Sequence, residues 1–216
     1  MSLRFDLATL SAAERYKLLG GLVVPRPIAL VTSQSLEGAI NAAPFSFFNV
    51  FAEEPPLIVL GLGISPSGGA KDTAVNIRDA GEFVVNLVDE PIAEAMNLCA
   101  IDFPPEVSEV EVAGLDMVPS DVVAPPRIAQ APVNLECRRY VTLQPARERY
   151  LVLGEVLLAH VRDGVIDPET LRVDRDVYAP IGRLFGGGYV RTHDRFEMPR
   201  LTYQEWRAQS RGRPRR

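Results

Sequence analysis

Cysteine and histidine, the side chains that most often build zinc sites and disulfides, are scarce in this chain. Its 216 residues include two cysteines and two histidines. Cys99 and Cys137 are far apart in sequence and no CxxC pair occurs, so the spacing excludes the common structural zinc motifs. We therefore expect reduced thiols, as in a cytoplasmic protein, and no bound metal.

Long apolar runs are also absent. No stretch of 18 apolar residues occurs, so no segment is predicted to cross a membrane as a helix and no membrane partner is expected. The first residues, Met-Ser-Leu-Arg-Phe-Asp, lack the apolar stretch of a secretory signal, which again favours the cytoplasm. With 47% apolar residues, the chain can bury a substantial core, and we expect one domain with extensions.

Positive charge is concentrated at the end of the chain. The net charge is −5, yet residues 207–216 contain five arginines and no acid, so the rest of the chain carries a charge near −10. A folded body this acidic disfavours nucleic-acid binding. We expect the last six residues, Arg-Gly-Arg-Pro-Arg-Arg, to be disordered rather than to bind nucleic acid.

Lysine is rare, with two against twenty-one arginines, and one lysine follows a Gly-rich turn in residues 65–77. A turn that opens a helix presents free N–H groups, which suit a phosphate. Lys71 adds a positive charge and Thr73 a hydroxyl. A P-loop is excluded because no second glycine precedes the lysine, so we predict a ligand with a terminal phosphate other than a nucleoside triphosphate. The alternative is a plain turn in which Asp72 caps the helix.

Short apolar strands separated by turns dominate the remaining sequence. A capping box, Ser11-Ala-Ala-Glu14, predicts a helix that Gly20-Gly21 ends. We predict a hairpin of 25–33 with 39–43, a helix over 90–100, a functional or subunit-covering excursion over 102–132, and strands at 57–60, 83–88, 133–137 and 150–161. Because strands dominate without βαβ alternation, the sequence predicts a closed antiparallel β-barrel, mainly β, with a few peripheral helices.

Several motifs occur in order along the chain. They include Pro25-Arg-Pro-Ile-Ala-Leu-Val-Thr32, Asn41-Ala-Ala-Pro-Phe-Ser-Phe-Phe-Asn49, Lys71-Asp-Thr73, Phe83-Val-Val-Asn-Leu87 and Gly182-Arg-Leu-Phe-Gly-Gly-Gly-Tyr189. In this order the chain resembles the flavin reductase-like proteins with an FMN-binding split barrel, among them flavoredoxins, from about Leu18 to Arg191. The resemblance implies a split barrel of Greek-key type and a homodimer that holds FMN between its subunits. We expect a helical segment at 1–24, the FMN-binding domain at 25–195 and an extension at 196–216.

The resemblance also implies which residues hold the cofactor. Lys71, Asp72 and Thr73 are expected at the phosphate. The flavin ring is expected against Asn41, Ala43, Pro44, Phe45 and Ser46, with Thr32 and Ser33 nearby on the preceding strand. Pro44 is expected to remove a ladder donor and so to open backbone groups towards the ligand. Asn49 needs a polar partner, either the ribityl hydroxyls or a neighbouring backbone group.

Several further side chains have alternative interpretations. His160 is either structural or beside a nicotinamide pocket, and Tyr189 either closes over the flavin or anchors at the surface. Phe48 and Phe51 are expected in the core, whereas Phe47 can face either way. Arg26, a candidate phosphate partner from a second subunit, is left out of the predicted site.

The function implied is an NAD(P)H-dependent flavin reductase in which hydride passes to flavin N5. No Rossmann fingerprint is present, so NADH or NADPH would dock transiently, and no catalytic side chain is required. A monooxygenase or another redox protein would receive the reduced flavin or its electrons. The alternatives are a flavoredoxin-like electron carrier without nicotinamide activity and an FMN-binding module without turnover.

Overall fold

The computed structural model describes residues 2–65, 68–104 and 107–210. The strands of this part of the chain are β1 (Ala29–Gln34), β2 (Ile40–Phe45), β3 (Phe48–Glu53), β4 (Pro56–Leu62), β5 (Glu82–Leu87), β6 (Met117–Val118), β7 (Arg127–Ile128), β8 (Val133–Ala146), β9 (Arg149–Val161), β10 (Ile181–Arg183) and β11 (Tyr189–Arg191). The helices are α1 (Ala12–Leu22), α2 (Asp72–Ala80), α3 (Ala93–Leu98), α4 (Glu109–Val112) and α5 (Tyr203–Ser210), with a 3₁₀ turn at Glu90–Ile92. None of these helices is long and apolar enough to cross a membrane.

Seven strands form one antiparallel sheet in the order β2-β1-β5-β8-β9-β4-β3. Two smaller sheets pair β6 with β7 and β10 with β11. The prediction of a mainly β protein with few helices is confirmed. The predicted β1–β2 hairpin is confirmed as well, with Ala29 opposite Phe45 and Gln34 opposite Ile40.

The seven-stranded ladder is not closed, so the prediction of a closed barrel is not confirmed. Its edges are β2 and β3, which the two residues Ser46-Phe47 connect, and within the described chain no ladder joins them. The open edge of β2 has few donors for another strand. The Ala42 N–H donates to Glu109 Oε1 at 2.9 Å, and Pro44 has no N–H.

Pro44 therefore does not have the effect that the sequence suggested. Hydrogen-bonded and non-hydrogen-bonded residue pairs alternate along an antiparallel ladder. The Ala42 N–H points away from β1, towards Glu109. The backbone nitrogen of residue 44 therefore faces away from β1 as well. Pro44 thus removes a donor from the open edge and not from the ladder with β1, which corrects the expectation.

The sheet buries apolar side chains on both faces. One core cluster contains Val31, Phe83 and Leu60 and is covered by α2 through Ile77. The other contains Leu30, Ala42, Met96, Leu115 and Ile128 and is covered by α3, α4 and β7. Burial on both faces explains the apolar runs in β4 and β5. At Gly154, an added Cβ would lie 2.4 Å from Cζ of Phe83, so the glycine makes room for that ring.

The N-terminal helix begins as predicted. Ser11 Oγ accepts the Glu14 N–H, and Glu14 Oε2 accepts the Ser11 N–H at 2.8 Å, which completes the capping box. The helix continues through Gly20-Gly21 to Leu22, so its predicted end is two residues early. The predicted helix over 90–100 is present as the 3₁₀ turn followed by α3.

The excursion between α3 and β8 is packed against its own sheet. Ile128 N–H donates to Asn86 Oδ1 at 3.0 Å, and Asn134 Nδ2 donates to the Ile128 carbonyl at 3.0 Å. These polar groups are buried, so they attach the excursion firmly. At the C-terminal end, helix α5 was not predicted, and the predicted disorder of the last six residues falls outside the described chain.

Candidate functional site

The start of helix α2 has no side-chain cap. Lys71 is its N-cap residue and makes no capping hydrogen bond, while Asp72 and Thr73 are its first two helical residues. The alternative in which Asp72 caps the helix is therefore wrong. The Ala74 and Val75 N–H groups bond to the Lys71 carbonyl at 2.8 and 3.1 Å. A helix start of this kind places N–H donors and the positive end of the helix dipole where a phosphate can bind.

Three predicted residues meet at this helix start. Asn41 Nδ2 donates to Thr73 Oγ1 at 2.8 Å, and Thr73 is 1% exposed. Because Thr73 Oγ1 accepts this bond, its own proton is left to donate. Lys71 Nζ lies 6.0 Å from the ring centroid of Phe45. We call Asn41, Lys71 and Thr73 the phosphate-end cluster.

A cleft of about 180 Å³ also has Phe45 in its wall. It is lined by residues of α1, β2, α3, β10 and β11 and of the segments next to them, namely Tyr16, Ile28, Pro44, Phe45, Ser46, Met96, Asn97, Ala100, Arg183 and Tyr189. We call it the Tyr189 cleft. It brings together Pro44, Phe45 and Ser46, which the resemblance implies at the flavin ring, with Tyr189, for which closing over the flavin was one of two interpretations. The Phe45 ring connects the cleft to Lys71.

Tyr189 is held in the cleft wall by two contacts. Its hydroxyl donates to Asn97 Oδ1 at 3.2 Å, and the guanidinium carbon of Arg183 lies 4.5 Å from its ring centroid. The side chain is half-buried. Tyr189 is therefore a wall of this concave site with its ring fixed, which fits the ligand-contacting interpretation better than the surface-anchoring one.

Arg26 fixes one of the polar groups of the cleft. Its guanidinium donates to the carbonyls of Gly20, Val23 and Leu184, and its Nε donates to Ser46 Oγ at 3.3 Å. The side chain is 6% exposed. Because Ser46 Oγ accepts this bond, its proton is available to a ligand in the cleft. Arg26 is bound to its own chain, so it acts through Ser46 and does not serve a second subunit as a phosphate partner.

The hydroxyls of two predicted site residues, Thr32 and Ser33, form hydrogen bonds inside the fold. Thr32 Oγ1 donates to the Pro126 carbonyl at 2.6 Å and accepts from Asn86 Nδ2. Ser33 Oγ accepts from Asn76 Nδ2 at 3.1 Å. Both residues are fully buried. The structure therefore does not bring their side chains into the cleft.

Ala43 lies against the core, whereas Asn49 lies on the exposed surface. Ala43 packs against the core cluster beneath α2. Asn49 is exposed on edge strand β3, and its Oδ1 accepts the N–H of Val50 at 2.9 Å, so its partner is the neighbouring backbone.

Phe48 is buried as expected, but Phe51 is 62% exposed, which contradicts the expectation for that ring. An edge strand that contacts the core with one face cannot bury every aromatic side chain. Phe47 is half exposed.

His160 lies in a cluster beneath the excursion. Its Nε2 is 2.6 Å from Oε1 of Glu136, a fully buried carboxylate that also accepts the N–H groups of Asp121 and Val122. Burial would raise the pKa of Glu136, but the hydrogen bonds from Asp121, His160 and Val122 outweigh it and hold that pKa below its ordinary value. The contacts favour the structural interpretation of His160, and none of them places it at the Tyr189 cleft.

The two thiols are not nucleophiles in this structure. Cys99 and Cys137 are buried and free. Burial raises the pKa of Cys99 to about 12 and raises the pKa of Cys137 as well, so both remain protonated near neutral pH. Cys99 belongs to the core cluster beneath α3.

Sequence reasoning missed several residues of the cleft. Tyr16 enters it from α1, and Met96, Asn97 and Ala100 enter it from α3 and the residues after it. No local pattern distinguishes these positions, because they meet β2 only when the helices pack on the sheet. Arg183 stood in the motif before Tyr189, but its position over the Tyr189 ring is seen only in the structure.

Comparison with known proteins identifies the family of the chain. The model of the flavin reductase like domain matches residues 21–182. The chain belongs to the flavin reductase-like family. Among solved structures, 2-nitrobenzoate 2-nitroreductase of Pseudomonas fluorescens is 42% identical with a TM-score of 0.85, covering 93% of this chain and 98% of its own.

Two further structures support the family and its fold. Nitrilotriacetate monooxygenase component B of Bacillus cereus is 33% identical with a TM-score of 0.85, covering 92% of this chain and 99% of its own. A split-barrel protein of Shewanella frigidimarina is 19% identical with a TM-score of 0.77, covering 93% of this chain and 100% of its own. The last likeness shows the fold alone, and it identifies the mainly β architecture as a split barrel.

Proposed function

We propose that this protein binds FMN between the phosphate-end cluster and the Tyr189 cleft, and that it reduces the flavin with NADH or NADPH. The observation that supports this most strongly is the uncapped start of α2 beside Lys71 and Thr73, joined to the cleft through Phe45. A flavin with one terminal phosphate matches a site with a cation and free helix donors at one end and aromatic walls at the other.

The residues present fit this cofactor. The Thr73 and Ser46 hydroxyls each accept one bond from the protein and keep a proton to donate. Lys71 supplies the charge that a phosphate requires. Asp72 lies in the first turn of α2 and is exposed, so its carboxylate can turn to solvent while its N–H faces the ligand. Ala43 contributes backbone rather than a polar side chain.

The protein supplies binding, orientation and exclusion of water. The flavin, when bound, supplies the acceptor for hydride, which is the difficult chemistry. Arg26 holds the Ser46 hydroxyl as a donor, and Asn97 holds the Tyr189 ring against the cleft. The nicotinamide nucleotide would dock transiently, because the fold has no dinucleotide-binding βαβ unit among its described elements.

The electron acceptor is proposed from the relatives. One similar protein is component B of a monooxygenase, so we propose that reduced flavin passes to a partner oxygenase. Another is a nitroreductase, which favours a nitroaromatic acceptor as the second candidate. We also propose a homodimer with the flavin between subunits. An electron carrier without nicotinamide activity and a binding module without turnover are the alternatives.

One anaerobic titration tests the proposal. Purified protein is denatured to identify its flavin, which we expect to be FMN. Intact protein is then mixed with NADH or NADPH without oxygen, and the flavin absorption band is expected to bleach. FMN that stays oxidised with both nucleotides but is reduced by dithionite would favour the electron carrier. Colourless protein that fails to bind added FMN would contradict the site itself.

A further inference from the structure

Three side chains of types that bind metal ions meet beneath the excursion between α3 and β8. They are Asp121, Glu136 and His160, and their ligand atoms all lie within 4.8 Å of one another. Among the described residues, no other group of three such side chains lies this close together. One imidazole nitrogen and two carboxylates form a donor set that suits a divalent transition metal.

Paired strands bring Glu136 and His160 together. Glu136 in β8 lies opposite Leu158 in β9, and His160 lies two residues further along β9. The two side chains are therefore diagonal neighbours on one face of the sheet, within reach of each other. Asp121 comes from the excursion, where its own N–H and that of Val122 donate to the Glu136 carboxylate at 2.8 and 2.7 Å. The three ligands come from distant segments, so no motif spacing in the sequence indicates this set.

The protein supplies little positive charge to this cluster. Glu136 is fully buried, and the one ion pair that it forms within the described chain is with His160. Across residues 2–65, 68–104 and 107–210, no lysine or arginine forms an ion pair with Glu136 or Asp121. One imidazole carries at most one positive charge against two carboxylates, so a divalent cation would balance the cluster.

Small side-chain movements would convert this arrangement into metal coordination. Zinc bonds of about 2.0–2.2 Å place neighbouring ligand atoms roughly 3–3.5 Å apart. His160 Nε2 and Glu136 Oε1 are 2.6 Å apart, as a hydrogen bond requires. An ion that enters between them replaces the proton of this bond, which moves to solvent or to the other ring nitrogen. Asp121 is exposed, so its carboxylate can turn towards the ion, and its side of the cluster is open to solvent.

We propose that Asp121, Glu136 and His160 bind one divalent transition metal ion, with water completing its coordination. Mg²⁺ prefers sites made of oxygen alone, so it should bind more weakly than Zn²⁺. The ion would attach the excursion to strands β8 and β9. None of the three residues belongs to the Tyr189 cleft or to the phosphate-end cluster, so this proposal does not depend on the proposed function. It departs from the sequence-based expectation of no bound metal.

Calorimetric titration of untagged, chelator-treated protein with zinc chloride tests the site, and magnesium chloride is the comparison. Wild-type protein should bind one Zn²⁺ per chain. His160→Gln and Asp121→Asn should each weaken Zn²⁺ binding at least about tenfold, because even the partners of metal ligands typically contribute about 10- to 100-fold. The other histidine, His193, is exposed, so His193→Gln controls for binding by a surface imidazole. Asp163→Asn, in the exposed turn after β9, controls for loss of a carboxylate. Both control variants should bind Zn²⁺ as wild type does.

Hydrogen exchange shows whether the ion binds at this place in the fold. Zn²⁺ should slow exchange of the amides of residues 121–123 in wild type and in His193→Gln, because the bound ion attaches the excursion to the sheet. It should not slow them in His160→Gln. Zinc bound elsewhere on the surface would leave these amides unchanged in every variant.

Wild-type protein that binds no Zn²⁺ would overturn the proposal, as would wild-type affinity in either His160→Gln or Asp121→Asn. Unchanged exchange of residues 121–123 on addition of Zn²⁺ would also overturn it. Thermal unfolding without metal verifies that each variant is folded. If His160→Gln does not fold, Asp121→Asn decides, because its side chain is exposed. The titration needs neither flavin nor turnover, so its result is separate from the test of the proposed function.

Discussion

At the scale of single residues, Lys71 should distinguish a phosphate site from a ring site. Replacing Lys71 with Ala should weaken FMN binding by about 1.5–3 kcal/mol, the usual contribution of a hydrogen bond to a charged group. Riboflavin lacks the phosphate, so its affinity should hardly change. Fluorescence titration of flavin-free protein measures both.

The chain offers a matched control for this charge. Lys17, its other lysine, is exposed on α1, so Lys17→Ala should leave both affinities unchanged. An equal loss for FMN and riboflavin in Lys71→Ala would mean that Lys71 acts through folding and not through a phosphate.

Glu136 allows a prediction about pH. Its folded pKa is lowered, because backbone N–H groups and His160 together outweigh the effect of burial. The stability that its ionised form contributes is therefore complete above the unfolded pKa, near 4.5, and is lost as pH falls through the folded value. Glu136→Gln should lower the free energy of unfolding by about 2–4 kcal/mol near neutral pH, since buried donors lose a charged acceptor.

Urea unfolding of wild type and Glu136→Gln, at neutral pH and again near pH 3, measures this effect. The difference between the two proteins should shrink in acid, where the wild-type carboxyl is protonated. Glu37→Gln, an exposed turn residue, is the control and should change neither midpoint. A difference that is independent of pH would mean that the charge of Glu136 contributes nothing.

At the scale of elements, Arg26 attaches helix α1 to the sheet. It bonds to carbonyls at the end of α1 and after β10, and to Ser46 between β2 and β3. Arg26→Ala should detach α1 and remove Tyr16 from the cleft, because several buried carbonyls lose their donor. Hydrogen exchange of α1 amides should rise at least about tenfold.

A second arginine separates attachment of α1 from the general loss of a charge. Arg15 is exposed and donates to the carbonyls of Leu7 and Ala8, which precede α1. Arg15→Ala should leave the exchange of α1 unchanged. Protected α1 amides in Arg26→Ala would show that packing alone holds the helix.

Elements that depend on neighbouring residues could be predicted from the sequence, whereas those that depend on distant packing could not. The Ser11 capping box and the β1–β2 hairpin are local, and both were predicted. The exposure of Phe51 depends on β3 being an edge strand, and the Ala42 N–H at the open edge of β2 bonds to Glu109, which is distant in sequence. Neither fact can be read from the local sequence.

The candidate site also has parts that the local sequence predicts and parts that it does not. The phosphate-end cluster follows from a turn and a helix start, and the structure brings Lys71, Thr73 and Asn41 together. Thr32 and Ser33 follow three apolar residues on a strand whose two faces are both buried, so the sequence did not indicate which partners their polar side chains would find. The sequence left the role of His160 open, because nothing in its local pattern indicates that Glu136 lies beside it.

At the scale of the whole molecule, we predict a homodimer that encloses the flavin. Large apolar side chains remain exposed on β3 and on the far half of the β8–β9 hairpin, among them Val50, Phe51, Tyr140 and Leu143. Such surfaces favour an obligate interface, which typically buries roughly 2,000 Å² or more in total.

Light scattering with a dilution series tests this prediction. If each flavin contacts both chains, dilution that separates the dimer should release FMN in parallel, as followed by flavin fluorescence. Phe51→Glu, on the edge strand, should promote dissociation, whereas Leu36→Glu, in the exposed turn after β1, should not. A monomer that retains all of its FMN would contradict the shared site.

The contacts of Arg26 also have a consequence for synthesis of the chain. Its bond to the Leu184 carbonyl joins residues that are 158 positions apart. Helix α1 leaves a ribosome long before residue 184, so its anchor cannot be complete until that residue has emerged. Because domains form during translation at about 5–20 residues per second, α1 should wait roughly 8–30 seconds for its final position. Helix α1 would then settle long after it is made, and truncation before Leu184 should leave it open to proteases.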